Sequence, residues 1–228
     1  MRILEQYFKE NNYDESLIVK FRIYFDLLIE WNNKFNLTNI TEKEEVEEKH
    51  FIDSLLAEKY ILKNSTICDI GSGAGFPSIP LAIVRSDCKF TLVDSLNKRV
   101  NFLNEVVEKL ELSNCECIHD RAEDYALKHL NQYDYCVARA VAPLPTLLEY
   151  TIPLLKINGS LLAYKGSNID EEIDLSKNAF KVLKSKIKEK VDTCLPNKDY
   201  RCILNIVKED KTPKGYPRGG NKPRIKPL

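Results

Sequence analysis

The sequence lacks net charge. Thirty-four lysines and arginines balance thirty-four aspartates and glutamates, so no global field commits the chain to a nucleic acid or a membrane surface. It also lacks a long apolar run. Met1 to Glu10 is charged, which argues against a signal peptide or membrane span and for a cytoplasmic protein. The sequons Asn36-Leu37-Thr38, Asn39-Ile40-Thr41 and Asn64-Ser65-Thr66 therefore carry no glycosylation message. A disulfide framework is missing too: seven cysteines is an odd number, and Cys68, Cys88 and Cys136 fall in or beside apolar strand-like runs, where free thiols pack as small hydrophobes. A reduced compartment is the simplest reading. Cys115-Glu116-Cys117 is the only close pair, and without a matching Cys or His pair no metal site is expected. No internal repeat is visible, and 228 residues suffice for one α/β domain with extensions and a full core.

Against these absences stands one concentrated signal. Ile67-Cys68-Asp69-Ile70 reads as an apolar strand that runs into Gly71, Gly73 and Gly75 and then into a helix. Alternate glycines let the backbone take positive φ and leave no Cβ between chain and ligand. A strand, glycine loop and helix form the first βα unit of a doubly wound sheet, with the ligand at the strand's carboxyl end. The next strand, Phe90 to Val93, ends on Asp94, nineteen residues after Gly75, where an acid can accept ribose hydroxyls. Dinucleotide loops run G-x-G-x-x-G and present helix amides to a pyrophosphate. This one runs G-x-G-x-G and is followed by Pro77 and Pro80, which lack donors, so S-adenosyl-L-methionine suits the loop better than NAD, and a dehydrogenase is disfavoured.

Around that unit the chain divides into three parts. Residues 1–63 read as a helical extension: Leu17, Phe21, Tyr24, Leu28 and Trp31 recur at helical spacing, and Glu42 to Lys49 continues through His50 to Leu56 as a further helix. Residues 64–210 alternate strand and helix patterns, which means a mostly parallel sheet covered by helices on both faces. Strands are expected at Phe90–Val93, Cys115–Ile118, Tyr135–Ala138, Ser160–Tyr164 and Arg201–Val207, and helices at Ser78–Arg85, Asn97–Leu110, near Leu147–Leu155 and, as a solvated lysine-rich face, Lys177–Lys190. Residues 191–209 then fit an antiparallel edge hairpin. The tail, 211–228, holds six bases and no acid, and its glycines and prolines predict no regular structure.

Ligand-facing residues of such a sheet lie just beyond the carboxyl ends of the strands. Those ends offer Gly71 to Phe76, Asp94-Ser95, Asp120 to Glu123, and Arg139-Ala140-Val141. Ala122 with Glu123 could hold an adenine by its edge and face. Arg139 is the candidate catalytic group, expected to meet the methionine carboxylate, an acid or an RNA phosphate. His50 and Asp53 share a helix face and could sit at the pocket mouth. No Asn-Pro-Pro-Tyr or Asp-Pro-Pro-Tyr stands at the fourth strand, which argues against transfer to an exocyclic base amine, and no Pro-Cys nucleophile argues for cytosine C5.

Taken together, Asn36-Leu37-Thr38, His50-Phe51-Ile52-Asp53-Ser54, Asp69 through Pro77, Val93-Asp94-Ser95 with Lys98-Arg99, Arg121-Ala122-Glu123, Ala138-Arg139-Ala140, Lys165-Gly166 and Tyr216-Pro217-Arg218 closely resemble the RsmG (GidB) family. The blocks stand in the family's order over nearly the whole chain. The resemblance implies a Rossmann-like class I methyltransferase fold and methyl transfer from S-adenosyl-L-methionine to N7 of one guanine in 16S rRNA of the small ribosomal subunit, by a monomer. It carries cofactor contacts over to Gly71, Phe76, Ala122, Glu123 and Arg139, beside Gly73, Gly75 and Asp94 of the loop reading. His50, Lys98, Arg99, Arg121, Lys165, Arg218, Arg224 and Lys226 are the candidate RNA contacts. The competing readings are a methyltransferase acting on another RNA, a small molecule or a protein, and a non-catalytic rRNA-binding assembly factor.

Overall fold

The computed structural model describes residues 1–228. The extension begins with α1 (Arg2–Glu10), a 3-10 turn (Glu15–Leu17) and α2 (Ile18–Phe35). It continues through α3 (Lys43–Val46), a π-helical segment (Glu47–Ile52) and α4 (Asp53–Leu55). Helix α2 presents Phe21, Tyr24 and Leu28 inward, all fully buried, with Leu17 and Trp31 half-buried at the ends of the stripe. Each such side chain contributes about 1.5–3 kcal/mol of apolar burial. The helix stops at Asn36, whose left-handed φ of 49° needs no glycine because a short polar side chain tolerates that region.

The sheet has seven strands: β1 (Thr66–Ile70), β2 (Lys89–Asp94), β3 (Cys115–His119), β4 (Tyr133–Arg139), β5 (Leu155–Lys165), β6 (Ser185–Cys194) and β7 (Tyr200–Lys208). Their spatial order is β3-β2-β1-β4-β5-β7-β6, parallel from β3 through β5 and antiparallel at β7 and β6. The order reverses between β1 and β4, which sets the ligand crevice there. Alternate residues go to opposite faces: Ile67, Leu92, Val137 and Leu162 pack on the side of the N-terminal helices, while Cys68, Val93, Cys136 and Leu161 pack on the other.

The remaining helices are α5 (Ser78–Val84), α6 (Asn97–Lys109), α7 (Ala122–Lys128), α8 (Leu144–Thr151), α9 (Ile169–Leu175), α10 (Lys177–Leu183) and α11 (Lys222–Ile225). Two expectations need correction. The lysine-rich helix ends at Leu183, because Lys184 turns left-handed at φ 54° and Ser185 to Lys190 already belong to β6. Lysines decorate an exposed edge strand as readily as a helix face, so the hairpin starts at 185 rather than 191. The tail contains one helical turn, α11, and Pro217 and Pro223 within it are buried.

The extension is fixed to the glycine loop by aromatic contacts. Tyr24 lies 5.4 Å from Phe76 and 5.5 Å from Phe51, and Phe51 meets Phe21 edge-on at 5.1 Å. The Tyr24 hydroxyl donates to the carbonyl of Ala74 inside the loop. Tyr24→Phe should leave that carbonyl without its partner and cost about 1–3 kcal/mol of stability. Urea unfolding checks this: the midpoint should fall at unchanged m, and an unchanged midpoint would show that the bond contributes nothing.

Candidate active site

The three loop glycines do different work. Gly71 (φ 72°) leaves room for Val141, whose methyls would sit 3.0 Å from a Cβ added there. Gly73 (φ 59°) has only the Gly71 carbonyl, at 3.9 Å, where a side chain would project, so this is the bare stretch of backbone a ligand can lie on. At Gly75 (φ 92°) an added Cβ would meet Ile79 at 2.6 Å and the Tyr24 hydroxyl at 2.7 Å. Its missing side chain admits α2 rather than a ligand. Pro77 and Pro80 fall at the cap and in the first turn of α5, where the missing N–H groups break no helical bond.

Asp94, at the end of β2, is buried and already engaged. One oxygen accepts the Gly73 amide at 2.8 Å, the other the Leu96 amide at 2.9 Å, and Arg99 approaches at 3.4 Å. The acid therefore shapes the loop as well as presenting lone pairs to it. Beside it opens a cavity of about 280 Å³ whose lining includes Gly71, Ser95, Ala122, Glu123 and Tyr150. Glu123 is buried and accepts from Arg121 at 3.1 Å.

A second cavity, about 820 Å³, lies across a partition formed by Val141, Ala142 and Pro143, which line both. Ala140 makes the partition possible by adopting φ 56° straight after β4, a conformation costly for a residue with a Cβ and concentrated at functional sites. Lys165 donates to the Ala142 carbonyl at 3.3 Å and to Glu172 at 2.6 Å, and Glu172 in turn accepts the Leu144 amide at 2.8 Å. The lysine thus braces the partition.

The larger cavity holds the densest polar cluster. Arg139 donates to Asp53 at 2.8 Å and to the Lys49 carbonyl at 3.1 Å, lies 3.3 Å from His50 Nδ1, and covers the Phe76 ring at 5.0 Å. The other Asp53 oxygen accepts from Arg201 at 3.0 Å. His50 stacks on Phe76 at 4.4 Å and contacts Thr38 through Nε2 at 2.8 Å. Burial, then the Arg139 charge, pushes the imidazole down to about 3, so it is neutral at physiological pH. Nδ1 faces both the Arg139 guanidinium and, at 3.1 Å, the Lys49 carbonyl. Of the three partners considered for Arg139, the one present here is an acid, Asp53.

Of the sequence candidates, Gly71, Ala122, Glu123, Arg121 and Arg224 gather at the smaller cavity, and His50, Arg139 and Lys165 at the larger. Phe76 lies beneath His50 and Arg139. Lys98 stands over Phe35 at 5.2 Å on the outer face of α6, lining neither cavity. Arg218 is not a free cation: it grips the fully buried Glu149 through Nε and Nη2, at 2.8 and 2.7 Å. Lys226 is exposed on the tail and lines neither cavity. Sequence reasoning missed Arg201. A signal existed, since the start of an antiparallel strand lies beside the carboxyl ends of its parallel neighbours, and Cys202 pairs with Lys165. It also missed what Asp69 does. This carboxylate is buried beneath the loop, and neither oxygen has a well-formed hydrogen bond. Burial pushes it up to about 7, partly offset by Ser78 and by the Arg139 charge.

A doubly wound sheet with a glycine loop at its switch point, an acid at the next strand end and an orphaned buried carboxylate beneath defines a class I methyltransferase core. The comparisons make the assignment narrower. Residues 17–200 match the family described as GidB, rRNA small subunit methyltransferase G. A ribosomal RNA small subunit methyltransferase G from Clostridium perfringens is 48% identical over 221 residues, covering 95% of this chain and 92% of its own. One from Bacillus cereus is 50% identical over 214 residues, covering 92% and 90%. The chain belongs to this family. Among solved structures it is similar to a SAM dependent methyltransferase from Aquifex aeolicus, with TM-score 0.54 and 19% identity over 73% of this chain and 94% of that one. It is also similar to M. jannaschii TYW2 in complex with AdoMet, with TM-score 0.55 and 15% identity over 68% and 76%. These two likenesses concern the fold alone.

Two outcomes are expected for the cofactor half. Gly73→Val puts a branched side chain at positive φ beside the open face of the loop and should abolish binding of S-adenosylhomocysteine; the strained φ should also lower the melting temperature by a few degrees without unfolding the protein, and calorimetry of the folded variant showing wild-type affinity would remove the loop from the site. Asp69 supplies a pH dependence. It is protonated in the free protein below about pH 7 and ionised above, and a cationic ligand above the loop favours the ionised form. S-adenosylmethionine affinity should therefore fall as pH drops through 7, and Asp69→Asn should flatten that profile at a weaker plateau. An unchanged slope in the variant would assign the titration elsewhere.

Proposed function

We propose that this protein transfers the methyl group of S-adenosyl-L-methionine to N7 of a guanine in 16S rRNA of the small ribosomal subunit, acting as a cytoplasmic monomer. The observation that carries the reading is the pair of cavities sharing the partition Val141 to Pro143, one with an adenosine-sized polar lining and one wide enough for a base. Family membership and the absence of any helix long and apolar enough to cross a membrane agree with it.

The residues fit the cofactor. The Gly73 backbone offers a surface without side chains, Ala122, Glu123 and Asp94 line or border the smaller cavity, and the Asp69 carboxylate balances a positive charge. When bound, S-adenosyl-L-methionine supplies an electrophilic methyl on a cationic sulfur. Guanine N7 carries an in-plane lone pair at neutral pH, so its attack needs no general base, and the protein's part reduces to placement and electrostatics. The larger cavity agrees with that demand. His50 is neutral and engaged at both ring nitrogens, and both Asp53 oxygens are occupied by arginines, so neither is poised to take a proton. Arg139, fixed by Asp53 and Phe76 in the lining of the larger cavity, orients the reacting groups. The exposed Lys98, Arg121 and Lys226 are suited to RNA phosphates, which position the substrate without reading its sequence. An unpaired, accessible guanine is required, since side chains read RNA best in loops.

Labelled methyl transfer to small subunits or protein-stripped rRNA lacking the modification tests this. The product should be cationic and should cleave on borohydride and aniline treatment. At saturating cofactor the single-turnover rate should stay nearly flat between about pH 6.5 and 8.5, because no deprotonation precedes attack. A methylated base that resists cleavage, or a bell-shaped profile, would assign another target atom.

A further inference from the structure

The basic tail reads from sequence as a free arm for RNA, yet it is tied down along its length. The Thr212 hydroxyl accepts from the fully buried Lys208 at 2.8 Å. The Arg218 guanidinium clasps Glu149 of α8 in a fork, and the Arg218 amide donates to the same carboxylate at 2.8 Å. Arg218 Nη2 also donates to the Lys226 carbonyl at 2.9 Å, closing residues 218–226 into a loop. Thr146 of α8 donates to the Pro223 carbonyl at 2.9 Å. A bidentate arginine on a buried carboxylate is a strong and specific tie, because removing either partner leaves a charge without compensation. Between the clasp and α11 the Gly219-Gly220 turn, with Gly220 at φ 64°, sends the chain back over α8. The result is that Asn221 and Arg224 line the smaller cavity together with Gly71, Ala122 and Glu123. The Arg224 charge is close enough to act on Tyr150, another lining residue.

We propose that residues 216–228 form a strap that completes the adenosine side of the cofactor cavity, with Arg224 and Asn221 as its affinity-setting residues and Arg218–Glu149 as its clasp. The inference rests on the methyltransferase reading above. An adenine edge and ribose offer acceptors that need donors, and Arg121 is the only other guanidinium in the lining. A guanidinium and a side-chain amide are donor-rich groups, and ordering them beforehand through the clasp lowers the entropic cost of binding.

Calorimetric titration of the full-length protein with S-adenosylhomocysteine and with 5′-methylthioadenosine, which keeps the adenosine and lacks the amino-acid portion, separates the possibilities. Arg224→Ala and Asn221→Ala alter exposed side chains, so the melting temperature should hold. Each should weaken both ligands by a common factor, about tenfold for Arg224 as a lost charge-assisted contact. Glu149→Gln, which loosens the clasp while keeping its shape, should weaken both ligands as well. Binding of a small-subunit rRNA fragment at saturating S-adenosylhomocysteine should be unaltered in Arg224→Ala. Unchanged affinity for both ligands overturns the strap, as does a loss confined to RNA binding, which would make the tail an RNA arm. If wild type itself binds no S-adenosylhomocysteine, it is the methyltransferase reading that fails.

Discussion

One carboxylate ties together the three regions that form the reaction cleft. Asp53 belongs to the N-terminal extension, yet one of its oxygens holds Arg139 at the end of β4 and the other holds Arg201 at the start of β7. The acid is buried between two partly buried cations, so removing it would leave both short of compensation, a loss of about 3–5 kcal/mol for a buried pair. The contacts of Arg139 in the cleft depend on this bond. With Arg139 pinned, its guanidinium covers Phe76 and faces His50, the Lys49 carbonyl finds its donor, and the left-handed turn at Ala140 directs the partition between the two cavities. The extension is therefore a wall of the cleft, not an appendage.

The division of labour in the glycine loop shows how far sequence reasoning reaches. The loop, the strands around it and Asp94 were legible because each is a local signal: an apolar run, glycines at alternate positions, an acid at a strand end. The particular duty of each glycine was not. Spacing alone does not say on which side an absent Cβ would have stood, and Gly75 turns out to serve Tyr24 of α2, far earlier in the chain, rather than the open face of the loop. The shared face of His50 and Asp53 followed from helical spacing. Their partners did not, since Arg139 lies 86 residues and Arg201 148 residues from Asp53 in the chain. The boundary at Lys184 was hidden for another reason: lysines signal solvent exposure, and a helix face and an edge strand are exposed alike.

Charge counting misleads in the tail for a related reason. Six bases without an acid suggest a polycation, but the acid that answers Arg218 is Glu149, buried in α8 and distant in sequence. The same distance effect governs Asp69 in the opposite sense. It lies within a recognisable motif, yet only the packed structure reveals that its oxygens have no well-formed partner and that burial raises its proton affinity. Polar groups buried with partners build the cleft here, and Asp69 is the one carboxylate buried without them.

The central claim is that Asp53 acts in methyl transfer through Arg139. A double-mutant cycle on single-turnover transfer to unmodified small-subunit rRNA, with Asp53→Asn, Arg139→Lys and the pair combined, tests it most directly. The expected result is strong coupling, of the order of 1–3 kcal/mol, with the double variant hardly slower than the worse single one. Additive losses would mean that the two residues act independently and would contradict the account.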